Sequence, residues 1–266
     1  MIEFRDLYKA FGANRVLEGF TLEVRDGETM VIIGYSGTGK SVAIKHVVGL
    51  LEPDAGQVAV DGQVVAELSR AALTGLRATI GFVFQFAALF DSMTIFDNVA
   101  LGLRRRPGIS EGDIASRVAE ALALVDLAGT ERLMPAELSG GMRKRVGLAR
   151  AIALKPRYLL YDEPTTGLDP VTSAVIDQLI VRTREALGVT SVVITHDMRS
   201  AYTVGDRIAM LYRGRIRQVG TVAEIRATAD PVVRQFIEGR PDGGRAAERA
   251  SLSQTGQELG LEGVDA

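Results

Sequence analysis

Cysteine is absent from this 266-residue chain, and histidine occurs only twice. The first absence excludes disulfides, thiolate zinc sites, iron–sulfur ligation and cysteine nucleophiles, and it permits a reducing compartment. The second argues against a histidine-rich metal centre. Neither sign of charge dominates: 31 basic against 33 acidic residues leave a formal charge of −2. That excludes a strongly basic nucleic-acid or membrane-surface binder, though not a local patch. No run reaches the ~18 apolar residues of a membrane span; the apolar stretches at residues 30–33 and 192–194 are strand-sized. The opening Met1-Ile2-Glu3-Phe4-Arg5-Asp6 lacks the basic start and apolar core of a signal peptide. The expectation is a cytoplasmic chain that takes any membrane spans from another chain. What is present, 47% hydrophobic and 24% charged residues, is ordinary for a folded globular protein.

Alternation at Ile2 and Phe4, and then at Leu17, Phe20, Leu22 and Val24, predicts half-buried antiparallel strands. Residues 29–33 form a continuous apolar run, as expected for a strand covered on both faces. A glycine-rich loop follows, then a helix from Lys40 to about Val48 that Gly49 can terminate. Residues 57–60 and 63–65 flank Asp61-Gly62 as a hairpin. Residues 80–84 read as another buried strand, with Phe82 and Phe84 in the core. From Thr94 to about Ala153 the pattern is helical: Ser110 and Asp113 mark a start, and Ile114, Val118, Leu122 and Val125 repeat at helical spacing. Strands at 158–161, 191–195 and 207–211 and a helix at 171–187 complete an α/β pattern with a helical insertion near 86–155.

Gly34-Tyr35-Ser36-Gly37-Thr38-Gly39-Lys40-Ser41 fits Gly-x4-Gly-Lys-Ser/Thr, placed between a predicted strand and a predicted helix. Residue frequencies give about a 0.6% chance of an accidental match anywhere in the chain, so the motif is read as real. Glycines let backbone N–H groups close around phosphate oxygens, and the helix N-terminus adds partial positive charge. Lys40 can reach the β- and γ-phosphates, and the Ser41 hydroxyl can ligate Mg2+. The apolar strand Tyr158-Leu159-Leu160-Tyr161 ends in Asp162-Glu163. Strand alternation would point the two acids to opposite sides, Asp162 toward the metal and Glu163 toward an attacking water as general base. Leu138-Ser139-Gly140-Gly141-Met142 opens a second helix with a further anion-binding turn. Asp169-Pro170 reads as a helix N-cap followed by proline in the first turn.

In this order the motifs resemble the ATP-binding subunit of ABC transporters over about residues 1–238. Residues 34–41 match the family's Walker A loop, residues 138–142 its signature loop, and residues 158–163 its Walker B strand with the catalytic glutamate. Gly167-Leu168-Asp169 resembles the D-loop, His196 the switch histidine, Gln85 the Q-loop glutamine, and Phe11 in Lys9-Ala10-Phe11-Gly12 the aromatic residue that stacks on adenine. Tyr35 occupies a variable Walker A position. The resemblance implies a P-loop NTPase with a RecA-like core, an N-terminal antiparallel β-subdomain and an α-helical subdomain at about 86–155. The ATPase domain would span 1–239, followed by a tail at 240–266 that is frayed or ordered on a partner. It implies ATP and Mg2+ as cofactors, with Mg2+ on Ser41, Gln85 and, through water, Asp162. It also implies a homodimer that sandwiches two ATP molecules, with Ser139, Gly140 and Gly141 acting across the interface and His196 sensing the γ-phosphate.

Within the family, residues 84–99, Leu133-Met134-Pro135-Ala136-Glu137 and Asp230-Pro231-Val232-Val233-Arg234-Gln235-Phe236-Ile237 resemble the ATPase of the Mla/Mce lipid-transport group. That implies phospholipid transport between inner and outer membranes, from the cytoplasmic face of the inner membrane. The partners would be a permease dimer, a periplasmic Mce-domain lipid-binding protein and, in some systems, a small STAS-domain protein; nucleic acid would not be a partner. Phe86, Leu89, Phe90, Met93 and Phe96 either pack inside the helical subdomain or line a groove for a permease helix. An ABC importer ATPase for another substrate, such as a sterol or an amino acid, and an iron–sulfur assembly ATPase are the alternatives.

Overall fold

The computed structural model describes residues 1–240; the tail expected at 240–266 lies, from residue 241 onward, outside the described residues. Ten strands and nine α-helices are found among these residues. Strands β1 (Ile2–Phe11), β2 (Asn14–Val24), β4 (Ala55–Val60) and β5 (Gln63–Val64) form an antiparallel sheet in the order β2-β1-β4-β5. The β4–β5 hairpin turns at Asp61 and Gly62, both with positive φ (52° and 77°), the backbone that a tight two-residue turn requires. Pairing stops at Val64, and Val65 enters a 3-10 turn rather than extending the strand.

The second sheet runs β10-β9-β3-β8-β7-β6, from β3 (Thr29–Ile33), β6 (Ile80–Val83), β7 (Tyr158–Asp162), β8 (Thr190–Ile194), β9 (Arg207–Tyr212) and β10 (Arg215–Thr221). All its pairs are parallel except β9–β10. Its central strands are wholly buried, and their side chains alternate between two cores. Val31, Ile33, Leu159, Tyr161 and Val193 join one core; Met30, Ile32, Tyr158, Leu160 and Val192 join the other. A sheet covered on both faces favours apolar residues in consecutive positions, as in residues 30–33 of β3 and 192–194 of β8, with Thr29, Thr190 and Ser191 as the buried polar exceptions at the strand starts.

The helices are α1 (Lys40–Val47), α2 (Arg70–Arg77), α3 (Ile95–Ala100), α4 (Glu111–Leu124), α5 (Gly140–Ile152), α6 (Pro170–Leu187), α7 (Met198–Val204), α8 (Val222–Arg226) and α9 (Pro231–Glu238). The apolar positions Ile114, Val118 and Leu122 of α4 are buried, as their spacing predicts, and Ser110 caps the helix by accepting from the Asp113 amide. One expectation fails here. Strand β6 stops at Val83, so Phe84 lies beyond it and is 38% exposed, stacked at 4.4 Å on the half-buried Phe82.

Strand order fixes where chemistry can occur. Ile32 of β3 and Asp162 of β7 both register against Ile194 of the intervening β8. The carboxyl ends of three neighbouring strands therefore reach the same level, the position at which open α/β sheets bind ligands.

Candidate nucleotide site

The turn after β3 carries Gly34, Gly37 and Gly39 at φ 155°, 79° and 100°. A Cβ on Gly39 would lie 2.7 Å from Val16 Cγ1, and one on Gly34 2.5 Å from the Leu211 carbonyl oxygen. Only glycine fits both the backbone and the space. The Lys40 ammonium, at the start of α1, donates to the carbonyls of Gly34 (2.7 Å) and Tyr35 (3.0 Å) and lies 3.9 Å from Glu163 Oε1. Burial lowers its pKa, and the carboxylates of Glu163 and Asp162 oppose that shift. The Thr38 hydroxyl donates to the Tyr35 carbonyl and so closes the loop on itself.

Ser41 Oγ donates to Asp162 Oδ1 at 2.6 Å. Burial raises the Asp162 pKa, against the Ser41 hydrogen bond and the charges of Lys45 and Lys40. A hydroxyl and a buried carboxylate meeting at one point form a hard oxygen donor pair that fits Mg2+, which takes one or two protein ligands and leaves the remainder to water and phosphate. Among the described residues no group of three or more His, Cys, Asp or Glu forms a cage that would suit another metal better. Ser41 and Asp162 would hold the ion, with Gln85 on the same cavity wall.

Glu163 departs from expectation in how it is aimed. Strand β7 ends at Asp162, and Glu163 takes φ 51° while its N–H donates to the Ile194 carbonyl. A left-handed turn, not strand alternation, separates the two carboxylates, and both face the phosphate loop. Glu163 Oε2 accepts from His196 Nδ1 at 2.8 Å and from Thr166 Oγ1 at 2.9 Å. Carboxylate and imidazole are thus joined at the ends of adjacent strands.

These groups line a cavity of about 470 Å3: Ser36, Gly37, Gly39, Lys40, Ser41, Gln85, Glu163 and His196 on the polar side, and Phe11 and Val16 at the apolar mouth. Phe11 is 48% exposed, an unusual cost for a large aromatic and one that a stacked base would remove. The Tyr35 ring turns away and packs edge-on against Phe236 of α9 at 5.0 Å. Ser139, Gly140, Gly141 and Asp169 do not line the cavity. Ser139 is the exposed N-cap of α5, accepting from the Met142 amide, and Asp169 caps α6 by accepting from the amides of Val171 and Thr172. The structure therefore brings together Walker A, Walker B, Gln85, Phe11 and His196, and holds the signature and D-loop residues elsewhere. Reading the sequence missed Thr166 and Val16. Thr166 lies three residues after Glu163, and only the turn there brings its hydroxyl back onto the Glu163 carboxylate.

The apolar cluster after Gln85 divides. Leu89 and Phe96 pack on the main core, whereas Phe86 is 84% and Phe90 50% exposed. The loop between has two consecutive non-glycine residues at positive φ, Ala87 and Ala88.

Comparison with known proteins agrees with this geometry. The ABC transporter family matches residues 17–166. The chain is 41% identical over 277 residues to a probable ribonucleotide transport ATP-binding protein, Mkl, of Mycobacterium tuberculosis H37Rv, spanning 99% of this chain and 77% of that one. It is 38% identical over 243 residues to the intermembrane phospholipid transport system ATP-binding protein MlaF of Escherichia coli K12, spanning 91% and 90%. Its fold superposes on the dimeric post-hydrolysis structure of the ATP-binding cassette MJ0796 bound to ADP and Pi, with a TM-score of 0.76, 33% identity, and coverage of 84% and 99%. No helix of the described residues is long and apolar enough to cross a membrane, in keeping with the division of labour in these transporters between paired ATPases and membrane permeases. The chain belongs to the ABC transporter family and is its ATP-binding, ATP-hydrolysing subunit.

Proposed function

We propose that this ATPase energises phospholipid transport between the two membranes of a bacterial envelope, as the nucleotide-binding subunit of a Mla/Mce-type complex. The observation that carries this reading is the nearly end-to-end likeness to MlaF, which leaves about a tenth of either chain unmatched. The exposed Phe86 and Phe90 beside Gln85 support it, because they offer a permease an apolar contact next to the nucleotide. The complex would add a permease dimer, a periplasmic Mce-domain protein and, in some systems, a STAS-domain protein, with this chain on the cytoplasmic face of the inner membrane.

In this reading two copies pair head to tail. Phe11 stacks on adenine, the amides of residues 34–41 cradle the phosphates, and Lys40 swings from its carbonyl partners to the β- and γ-phosphates. Ser41, Gln85 and, through water, Asp162 would hold Mg2+, which supplies charge neutralisation on the phosphates. Glu163 takes a proton from the attacking water, held in position by Thr166 and by His196, which also faces the γ-phosphate. Ser139, Gly140 and Gly141 of the other copy supply the donors that the cavity lacks on its open side, and Asp169 lies at the same seam.

Mass spectrometry of the intact membrane complex tests the substrate. Bound phospholipid, with ATP-dependent transfer of phospholipid between vesicles, is the expected result. The likeness to Mkl favours a second reading, ribonucleotide transport; a complex that carries nucleotide across a bilayer and leaves phospholipid where it is would establish that instead.

A further inference from the structure

Helix α5 begins at the signature turn and directs four cationic side chains to main-chain carbonyls in four different segments. Arg143 donates to Leu138 (2.7 Å), Lys144 to Pro164 (2.9 Å) and Thr166 (2.5 Å), Arg145 to Val125 (3.2 Å) and Asp126 (3.1 Å), and Arg150 to Ala87 (2.7 Å) and Ala88 (2.6 Å). Carbonyls held by a buried cation are fixed more firmly than carbonyls facing water, since the charge-assisted bond strengthens as the surroundings dry. Of the four, Lys144 reaches closest to the chemistry. Its two acceptors lie just past Glu163, in the turn that gives Glu163 its left-handed φ of 51°. One acceptor belongs to Thr166, whose hydroxyl also donates to Glu163 Oε2 at 2.9 Å. The ammonium is partly buried, which lowers its pKa, and the Glu163 charge opposes that shift.

Ser139 lies five residues before Lys144 on the same helix, ~7.5 Å along its axis. We infer that Lys144 is a positioning residue for hydrolysis: it ties the Glu163 turn to the helix whose first turn faces the other copy's nucleotide. Each copy's catalytic carboxylate is thereby set in place through the helix that contacts its partner's ATP. This inference rests on the head-to-tail pairing proposed above. It gives a physical route between the two nucleotides, one helix with a nucleotide at its N-terminus and the Glu163 turn on its side.

The test is steady-state ATP hydrolysis by the full chain, in its complex, with Lys144→Met, Lys144→Arg and Ser139→Ala. Lys144→Met removes the donor and keeps the stem, and kcat should fall about tenfold or more with KM for ATP unchanged. Lys144→Arg, which can still donate to two carbonyls, should recover most of that loss. A Lys144→Met enzyme with the parent kcat, a loss confined to KM, or no recovery in Lys144→Arg would overturn the inference. A separate control isolates the pairing. Should Glu163→Gln stay monomeric with ATP and Ser139→Ala turn over normally, the pairing fails and takes this inference with it. A Glu163→Gln protein that pairs around ATP, beside an unaffected Lys144→Met, removes the Lys144 role alone.

Discussion

Two residues a hydrogen bond apart, Glu163 and His196, meet at one corner of the cavity, and a single-atom change tests the hydrolytic role proposed for it. Glu163→Gln keeps the shape and the Thr166 contact but removes the basic oxygen. Hydrolysis should fall by about 10²- to 10⁴-fold while ATP affinity holds, measured as phosphate release beside equilibrium nucleotide binding. Normal turnover would refute the general-base role. In the turn that opens α5, Gly141 and Gly140 are neighbours with different constraints. A Cβ on Gly141 would lie 2.5 Å from Thr172 Cγ2, and turning Thr172 aside would break the hydrogen bond from its hydroxyl to Asp169. A Cβ on Gly140 meets nothing nearer than Leu168 Cδ2 at 4.0 Å. Gly141→Ala should cost about 1–3 kcal/mol in urea denaturation, whereas Gly140→Ala should leave stability near the parent value. Walker A and Walker B were legible here residue by residue, because their chemistry is local and their spacing is short. Thr166 and Lys144 were not, because each acts by reaching back to a turn whose geometry no local pattern encodes.

At the scale of elements, α6 and α7 pack around a buried acid with no part in the nucleotide cavity. Asp177 is 5% exposed; one carboxylate oxygen accepts from Ser200 Oγ at 2.9 Å and the other has no hydrogen-bond partner. Burial raises its pKa to about 6 from an ordinary 3.8, the Ser200 hydrogen bond opposing and the Asp197 charge reinforcing the shift. The folded chain keeps this proton over a range in which the unfolded chain has lost it. The residue therefore destabilises increasingly as pH rises from about 4 to 6, with its full cost standing above that window. Asp177→Asn should melt higher than the parent at pH 8, by on the order of 2 kcal/mol of stability, with the gap closing toward pH 4. A gap that stays constant with pH would show that charge burial is not its source. The same two helices illustrate what periodicity reads well. The 18 residues of α6 announce themselves, with Asp169-Pro170 at the start and Gly188 in the left-handed conformation at the end. Helices α7, α8 and α9, of 7, 5 and 8 residues, run too short for an apolar repeat to stand out from their neighbours.

For the molecule as a whole, one sheet divides two cores and brings three strand ends to a single level, and the aromatic loop after Gln85 lies on the surface beside that site. Phe86 is exposed enough that replacing it costs the fold little. Phe86→Asp should leave the melting temperature and ATP binding unchanged and reduce recovery of the permease in affinity purification; undiminished recovery would place the permease contact elsewhere. The loop is held from beneath by Arg150 on the Ala87 and Ala88 carbonyls, and by Gly147, where a Cβ would approach Ala87 at 3.3 Å. Helix α5 and that surface are therefore tied by direct contacts.

The amino-acid order alone determined the nucleotide chemistry. Phosphate cradles and capped helices are built from residues adjacent in the chain, and their glycines, lysine and acids must appear in sequence to work at all. It also determined the α/β class, through apolar runs that only a doubly covered sheet can bury. Tertiary structure decided the rest: which side Glu163 faces, that Ser139 and Asp169 stand away from their own chain's cavity, and that Phe86 is exposed while Phe96 packs, partly buried, on the core. Those outcomes depend on contacts between segments tens of residues apart, and the free energy of such contacts is set by packing, which a linear pattern does not contain.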